Sequence, residues 1–428
     1  MLTLAVTFVI TLVSGMPIAF CLGITALVTL LMIPDLTLLI LPQKMFTGVD
    51  YFTLIAVPFF ILAGELMNKA RITDSIVELS QHLVGRFRGG LAHVNIVASM
   101  FFAGITGAAV ADTSAMGSIL IPAMEKEKYP KSFAAAVTAA SSVMGPIIPP
   151  SIIMVIYALV DTRVSIGALF LAGMVPGLAI GLFQMLAAYM VAVKRDYPRF
   201  EEKFDARKFM QVLRRALIPL LTPIIIMGGI LGGVCTPTEA AAAADLYALI
   251  VGMFILRTLR WGDLPKIFLR TALTTSTVFL IFCMGNVLVV LFTMNQLPEQ
   301  LTELVLRFST SPMVFLLLIN IVLLIIGCFM EVGVAIIILV PILAPVATHF
   351  GIDPLHFAMI VVVNLCIGLV TPPLGVVLFV ACGISGSSME DVTRAIWPFL
   401  IAIIGVLLLV TYVPSFTLAI PRMMGMAG

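Results

Sequence analysis

Long stretches without a charged side chain alternate along this chain with short polar intervals. Val164 to Val193, Ala216 to Thr238, Thr271 to Pro298 and Ala395 to Pro421 hold no Asp, Glu, Lys or Arg. Each reaches the roughly 20 residues that an apolar helix needs to cross a bilayer. Allowing for interrupted segments, the pattern predicts about eleven to thirteen spans. The first fifteen residues, MLTLAVTFVITLVSG, lack the basic start of a signal peptide and read as a retained helix.

Two further charge-free stretches are punctuated. Ser132 to Val160 contains Gly145, Pro146, Pro149 and Pro150, and Pro354 to Met389 contains Gly368, Pro372 and Pro373. Upstream of each stands an acid in oily sequence, Asp112 ten residues before Pro122 and Glu331 ten before Pro341. A carboxylate at membrane depth beside a broken helix, made twice, is how many secondary carriers build an ion and substrate site at the bilayer midplane.

Charge placement orients these pieces. Lys194 to Arg215 carries eight basic residues, Arg199 and Lys203 among them, against four acids, which predicts a cytoplasmic linker between two halves. Arg257, Arg260, Lys266 and Arg270 mark a second cytoplasmic loop, reached if Ala216 to Leu256 crosses twice with a break at GGVCTPTEA. Arg86 and Arg88 precede Leu91 to Met124, and Lys126, Lys128 and Lys131 follow it, so both ends lie on one side and the stretch is a re-entrant hairpin. Its counterpart, Pro312 to Val346, lies between Ser309 to Ser311 and His349 to Asp353, with Arg307 as its one nearby cation, and opens to the opposite face. The expected fold is therefore an all-α polytopic membrane protein with an inverted-topology repeat. Residues 1–193 form the first repeat, with hairpin 91–124 and broken helix 132–160. Residues 216–428 form the second, with hairpin 312–346 and broken helix 354–382. The polar stretches 69–79 and 295–304 read as horizontal helices leading into the hairpins.

The small residues of the first tip, Gly104 to Ser118, would let the backbone turn at depth, which survives only where protein or a watery cavity satisfies the freed groups. Such carbonyls are hard ligands suited to Na⁺, and the side-chain oxygens of Thr106, Asp112, Thr113, Ser114 and Ser118 are close in sequence. The facing segment, Ser141 to Ser151, has three prolines that remove amide donors and break the helix, exposing an N-terminus that favours an anion. In the second half the tip is Gly327 to Gly333 and the break Asn364 to Gly375, where Thr371 before Pro372 reads as an N-cap. One cation is assigned to each tip and break pair. The substrate is placed between them, near Ser151, Asn364 and Thr371.

Plainer roles compete. Small residues can serve close helix packing alone, prolines can be kinks, and either acid can be protonated or cap its hairpin. Thr236, Pro237 and Glu239 form a T-x-x-E capping box, and Glu65 is placed to pair with Lys69 four residues on. The four histidines have no metal spacing, and the six cysteines show no CxxC pair.

Composition agrees with the pattern: 61% hydrophobic, 11% charged and a mean hydropathy of +1.18. ATP-driven pumping is disfavoured because no phosphate-binding GxxxxGK[ST] loop exists. GISG at Gly383 to Gly386 matches the GxSG of intramembrane serine proteases, but no His follows Ser385. A channel also uses re-entrant loops, yet two inverted copies suit alternating access.

The segments GITGAAVADTSAMGSILIPAM, SSVMGPIIPPS, GGVCTPTEAAA, GCFMEVGVAIIILVPILAPV and NLCIGLVTPPLG resemble the large membrane subunit of the tripartite ATP-independent periplasmic (TRAP) transporters. The resemblance implies a sodium-coupled importer of organic acids (C4-dicarboxylates, sialic acid or keto acids) in a bacterial inner membrane. It also implies a separate periplasmic substrate-binding protein and a small four-helix membrane subunit; all 428 residues are taken up by the large-subunit pattern, so that partner is expected on another chain. Likeness to the wider elevator transporters implies that hairpins and broken helices move against a scaffold. Carried over by position, the resemblance puts one sodium ion around Gly107, Ser141, Ser142 and Gly145 and another around Gly327, Gly333, Gly368 and Thr371. It sets Glu331 where the family commonly has Asp facing the substrate cavity. The candidate site is then Thr106, Ser114, Ser151, Glu331, Asn364 and Thr371 toward the substrate, with Asp112 added to the sodium ligands. A stand-alone sodium and dicarboxylate symporter, needing no binding protein, is the alternative.

Overall fold

The computed structural model describes residues 2–33, 37–70, 72–197, 205–308 and 311–426, and every regular element among them is helical. Arg71, Arg199, Lys203, Ser309, Thr310 and the side chain of Arg307 lie outside what is described. The first half runs α1 (Leu2–Val13), α2 (Ile18–Leu31), α3 (Ile40–Val49), α4 (Ala56–Lys69), α5 (Ile72–Val84), α6 (Gly90–Thr106), α7 (Ala109–Lys126), α8 (Lys131–Ser142), α9 (Ile152–Val160) and α10 (Ile166–Lys194). The second runs α11 (Ala206–Leu231), α12 (Pro237–Ile250), α13 (Leu264–Met294), α14 (Leu297–Phe308), α15 (Pro312–Phe329), α16 (Val332–His349), α17 (Pro354–Gly368), α18 (Val376–Ser385), α19 (Met389–Tyr412) and α20 (Pro414–Met423).

Eight helical segments among the described residues are long and apolar enough to cross a bilayer, while α2, α6, α17 and α18 are apolar but shorter. Glycine and proline account for two of the short ones: α6 stops at Gly107, and α17 stops where Pro372 and Pro373 cut the charge-free stretch in two. The basic linker is partly helical. Asp205 caps α11, its carboxylate accepting from the amides of Arg207 at 2.8 Å and Lys208 at 3.4 Å, so Arg207, Lys208, Arg214 and Arg215 ride on the first turns of α11.

The predicted break at GGVCTPTEA falls between α11 and α12. Thr236 and Glu239 close the capping box there, with Thr236 N donating to Glu239 Oε2 at 2.8 Å and Glu239 N to Thr236 Oγ1 at 3.3 Å. Glu65 and Lys69 do not pair as expected. The start of α13 comes alongside the end of α4, so Lys69 bonds Asp263 at 3.1 Å and Glu65 meets Arg270 at 3.9 Å. Partners two hundred residues away displace the local one.

Three packings recur with elements of the two halves exchanged. Helix α2 packs on α13 and α12 on α4; α7 packs on α18 and α16 on α9; α8 packs on α19 and α17 on α10. Helices α8 and α17 are buried along almost their whole length, as expected of helices apolar on every side. Around them sit the hairpin limbs, α6 with α7 and α15 with α16. Large apolar side chains remain exposed on α1, α11 and α13, which suits a surface wetted by lipid.

One polar clamp ties the halves together outside the apolar core. Asp161 holds Arg163 through two bonds of 2.7 and 2.8 Å, and Arg163 Nη1 reaches Thr348 Oγ1 on α16 at 2.7 Å. The loop between α9 and α10 is thereby fixed to the end of the other half's hairpin.

Candidate functional site

Helix α6 ends because Gly107 turns into the left-handed region at φ +61°, which glycine enters without a Cβ penalty. Ala108 is extended and α7 begins at once. The first tip is thus two residues long, and the broader turn expected over Gly104 to Ser118 is corrected. Asp112, Thr113, Ser114 and Ser118 are all helical residues of α7.

This tip is seated in the break of the facing helix. A methyl group added at Gly107 would lie 2.9 Å from the Pro150 carbonyl oxygen, and one at Gly145 would lie 3.2 Å from the Ala108 oxygen. That same Ala108 oxygen accepts from Asp112 N at 3.1 Å, so Gly107, Gly145 and Asp112 share one small volume. Pro146, Pro149 and Pro150 supply carbonyls there but no amides.

Asp112 is fully buried and neither carboxylate oxygen has a hydrogen-bond partner among the described residues. The hydroxyls of Ser142 and Ser99 face it, and each also has a second oxygen within reach. Ser142 Oγ donates to the Thr138 carbonyl at 2.8 Å. Ser141 Oγ has one proton to share between Asn95 Oδ1 at 3.2 Å and the Thr138 carbonyl at 3.1 Å, and it meets Ser99 Oγ at 3.0 Å, where either hydroxyl can donate. Asn95 Nδ2 donates in turn to Thr138 Oγ1 at 2.7 Å. A buried carboxylate that no donor reaches costs several kcal/mol unless a proton or a cation satisfies it. Carboxylate, hydroxyl and carbonyl oxygens are hard donors, and one carboxylate balances one monovalent cation, so these residues fit a sodium ion.

The second tip differs. Met330 is extended and Glu331 is the N-cap of α16, its Oε2 accepting from Val334 N at 3.2 Å. The residue is solvent-accessible, with the backbone of Gly333 and Val334 beside its carboxylate. Gly327 and Gly368 bring α15 and α17 into backbone contact, and Cys328 Sγ approaches the Pro372 carbonyl at 3.9 Å. A methyl at Gly333 would meet the Glu331 carboxylate and, at 3.3 Å, Ile156 of α9.

Thr371 is not the N-cap expected. Pro373 disfavours a helical conformation at Pro372, the chain stays irregular to Gly375, and α18 starts at Val376. Thr371 Oγ1 instead donates back to the Ile367 carbonyl at 2.8 Å. The capping role belongs in the first half to Ser151, which accepts from Met154 N at 3.2 Å and donates to the Pro146 carbonyl at 2.6 Å. Losing this cap in Ser151→Ala should cost about 1–2 kcal/mol, whereas Thr371→Val should cost well under 1 kcal/mol. Thermal unfolding in detergent checks that order, and equal losses would refute it.

Asn364 uses its amide nitrogen inside the protein, while its Oδ1 has no partner among the described residues. It is fully buried and donates to Asn320 Oδ1 at 2.6 Å, while Asn320 donates to Thr411 Oγ1 at 3.0 Å. The amide belt joins α17 to α15 and α19. Thr106 is buried with its hydroxyl 3.4 Å from the Phe102 carbonyl. Of the expected substrate residues, Ser114 and Glu331 are exposed and Thr371 is half-buried.

Sequence reasoning missed Asn95 and Ser99, one turn apart on α6, though a polar pair at that spacing in an apolar helix was the available signal. It also missed Asp245 on α12, buried with both oxygens unpartnered among the described residues. Nothing in the structure explains that acid.

A family model described as "Tripartite ATP-independent periplasmic transporter, DctM component" matches residues 5–416. The chain is 42% identical over 410 residues to the sialic acid TRAP transporter large permease protein SiaM of Vibrio cholerae, covering 96% of each. It is 39% identical over 408 residues to the C4-dicarboxylate TRAP transporter large permease protein DctM of Pseudomonas aeruginosa, covering 95% of each. The solved YdaH transporter of Alcanivorax borkumensis superposes with a TM-score of 0.63 at 12% identity, over 88% of this chain and 87% of that one, which establishes a shared fold. With a match running from α1 to α20 and relatives that are transport permeases, the chain belongs to the DctM family, the large membrane component of tripartite ATP-independent periplasmic transporters.

Proposed function

We propose that this chain is the large transmembrane subunit of a sodium-coupled secondary transporter in a bacterial inner membrane. It imports small organic acids, of the C4-dicarboxylate or sialic acid kind, delivered by a periplasmic binding protein. The observation that carries sodium coupling is the buried Asp112 carboxylate, neither of whose oxygens has a hydrogen-bond partner among the described residues. A carrier that must not move its ion alone needs such a group, satisfied when loaded and unsatisfied when empty.

The packing supports an alternating-access reading. The two tips and two breaks lie against one another, while α2, α4, α12 and α13 pack among themselves. Contacts of α4 with α6 and α9, and of α13 with α16, form the boundary between these bodies. A crevice of about 240 Å³ opens there, with Asn286 on one wall and Pro341 on the other. In this reading the halves are inverted repeats, and the tip-and-break body slides along the scaffold as an elevator. A small four-helix membrane subunit covers part of the scaffold's exposed apolar surface.

Uptake by proteoliposomes holding this chain and its small subunit tests the proposal. Inward sodium, compared with choline, should drive accumulation of a dicarboxylate or sialic acid only when a matching receptor is added. Accumulation without any receptor would replace it with a stand-alone sodium and dicarboxylate symporter, and indifference to sodium would remove the coupling. Glu331→Gln keeps an N-cap acceptor but removes the charge, and is expected to shift the half-saturating substrate or sodium concentration severalfold at normal expression. Wild-type kinetics would reduce Glu331 to a cap.

A further inference from the structure

The corner where α4, α12 and α13 meet carries basic chemistry that neither the tips nor the breaks use. Two adjoining crevices of about 360 and 600 Å³ share Asn68, Lys69 and Asp263. Five cations line them, Lys69, Arg257, Arg260, Lys266 and Arg270, against two acids, Glu65 and Asp263. Both acids are already engaged, Asp263 by Lys69 at 3.1 Å and Glu65 by Arg270 at 3.9 Å. Arg257, Arg260 and Lys266 make no ion pair among the described residues.

The loop presenting the arginines is built in place. Thr258 Oγ1 donates to the Ala70 carbonyl at 2.9 Å, the amides of Thr258 and Leu259 reach the Gly252 carbonyl at 3.0 and 3.1 Å, and Leu259 is buried as a plug. Arg257 sits in the left-handed region at φ +53°, uncommon for a side-chain-bearing residue and sustained by the anchors on either side of it.

Depth identifies the ligand. Helix α13 has 31 residues, about 46 Å at 1.5 Å each, against a hydrocarbon core of about 30 Å. Its first turns, with Lys266 and Arg270, therefore stand in the headgroup layer. Beside them Trp261 is 76% exposed, Phe254 69%, Leu269 60% and Leu273 61%. Trp is a residue of the membrane interface, and the apolar neighbours continue toward the acyl chains. The excess of Lys and Arg puts this end on the cytoplasmic leaflet, whose anionic lipids seek basic pockets between helices. We propose that the crevice between α4 and the α12–α13 loop binds the phosphate headgroup of an anionic phospholipid, with its chains lying along α13. A soluble phosphate would use the same cations but none of the apolar flank.

Native mass spectrometry of the full chain tests this, using phosphatidylglycerol, cardiolipin and phosphatidylcholine in turn. The wild type should retain an anionic lipid through detergent exchange and not phosphatidylcholine. Combined Arg257→Gln, Arg260→Gln and Lys266→Gln should cut that retention at least fivefold, and Lys266→Gln alone, on an exposed side chain, should cut it measurably without threatening the fold. Lys126→Gln with Lys128→Gln, in another basic segment of the same predicted side, should leave it unchanged. Equal retention by the triple variant, equal retention of phosphatidylcholine, or displacement by glycerol 3-phosphate at the lipid's own concentration would each overturn the assignment.

Discussion

Asp112→Asn should abolish the stabilisation that sodium gives this protein. A ligand that binds only the folded state at a hundred times its dissociation constant adds about 2.7 kcal/mol. For a chain of this length that raises the unfolding temperature by about 3 °C. The wild type in detergent should therefore unfold about that much higher in sodium chloride than in choline chloride, and the variant should unfold alike in both. Without sodium the variant should be the more stable of the two, because it no longer buries a carboxylate without a hydrogen-bond partner. Ser142→Ala, which removes one neutral oxygen from the same volume, should weaken the sodium effect without erasing it. If Asp112 instead carries a proton, it can donate to Ser99 or Ser142 and be satisfied with no cation. Wild-type unfolding would then be the same in both salts, and the first sodium site would be lost. Sodium-driven uptake gives an independent check, with a loss of at least tenfold expected from a cost of about 1.4 kcal/mol or more at the site.

Much of this arrangement was legible because glycine and proline act locally. Gly107 permits a left-handed turn wherever the rest of the fold lies, and Pro146, Pro149 and Pro150 forbid helix at their own positions, so tips and breaks could be located from the sequence. Single acids in oily stretches were as visible, and Asp112 and Glu331 both sit beside a tip. What could not be read was which groups meet. Asn95 and Ser99 matter because α8 lies against α6, and nothing near them in sequence announces Thr138 or Ser141. Lys69 chose Asp263 over Glu65 because α13 arrives beside α4. Thr371 had the look of an N-cap, but a second proline after Pro372 moves the helix start four residues on. Asn364 was conspicuous as a lone amide in an apolar stretch, but that its nitrogen clamps Asn320 could not be read from it. The two acids also divided their roles in a way that residue type does not reveal. Glu331 has an amide to accept from and an open side, and Asp112 has neither.

Gly368→Ala should be the most destabilising single substitution in the second half. The added methyl would lie 2.5 Å from the Cα and 2.7 Å from the carbonyl oxygen of Gly327, and those are backbone atoms of α15, with no rotamer to yield. Small residues at such crossings let membrane helices touch. The helices cannot ease apart cheaply either, because Asn364, one turn earlier on α17, holds Asn320 of α15 at 2.6 Å. Separation would strand two buried amides, each costing about 1–3 kcal/mol. Ordinary overpacking costs about 1–3 kcal/mol, so the variant should lose at least the upper end of that range, seen as a lower unfolding temperature and a smaller monodisperse peak on size exclusion. Gly383→Ala on α18 and Gly405→Ala on α19 are the controls, since an added methyl meets nothing within 4 Å at either. The better helix propensity of alanine should leave those two equal to the wild type or up to about 1 kcal/mol more stable. Should Gly368→Ala unfold with the controls, α15 and α17 would be free to part. The carbonyls that end them at the second tip would then have no fixed frame in which to hold a cation.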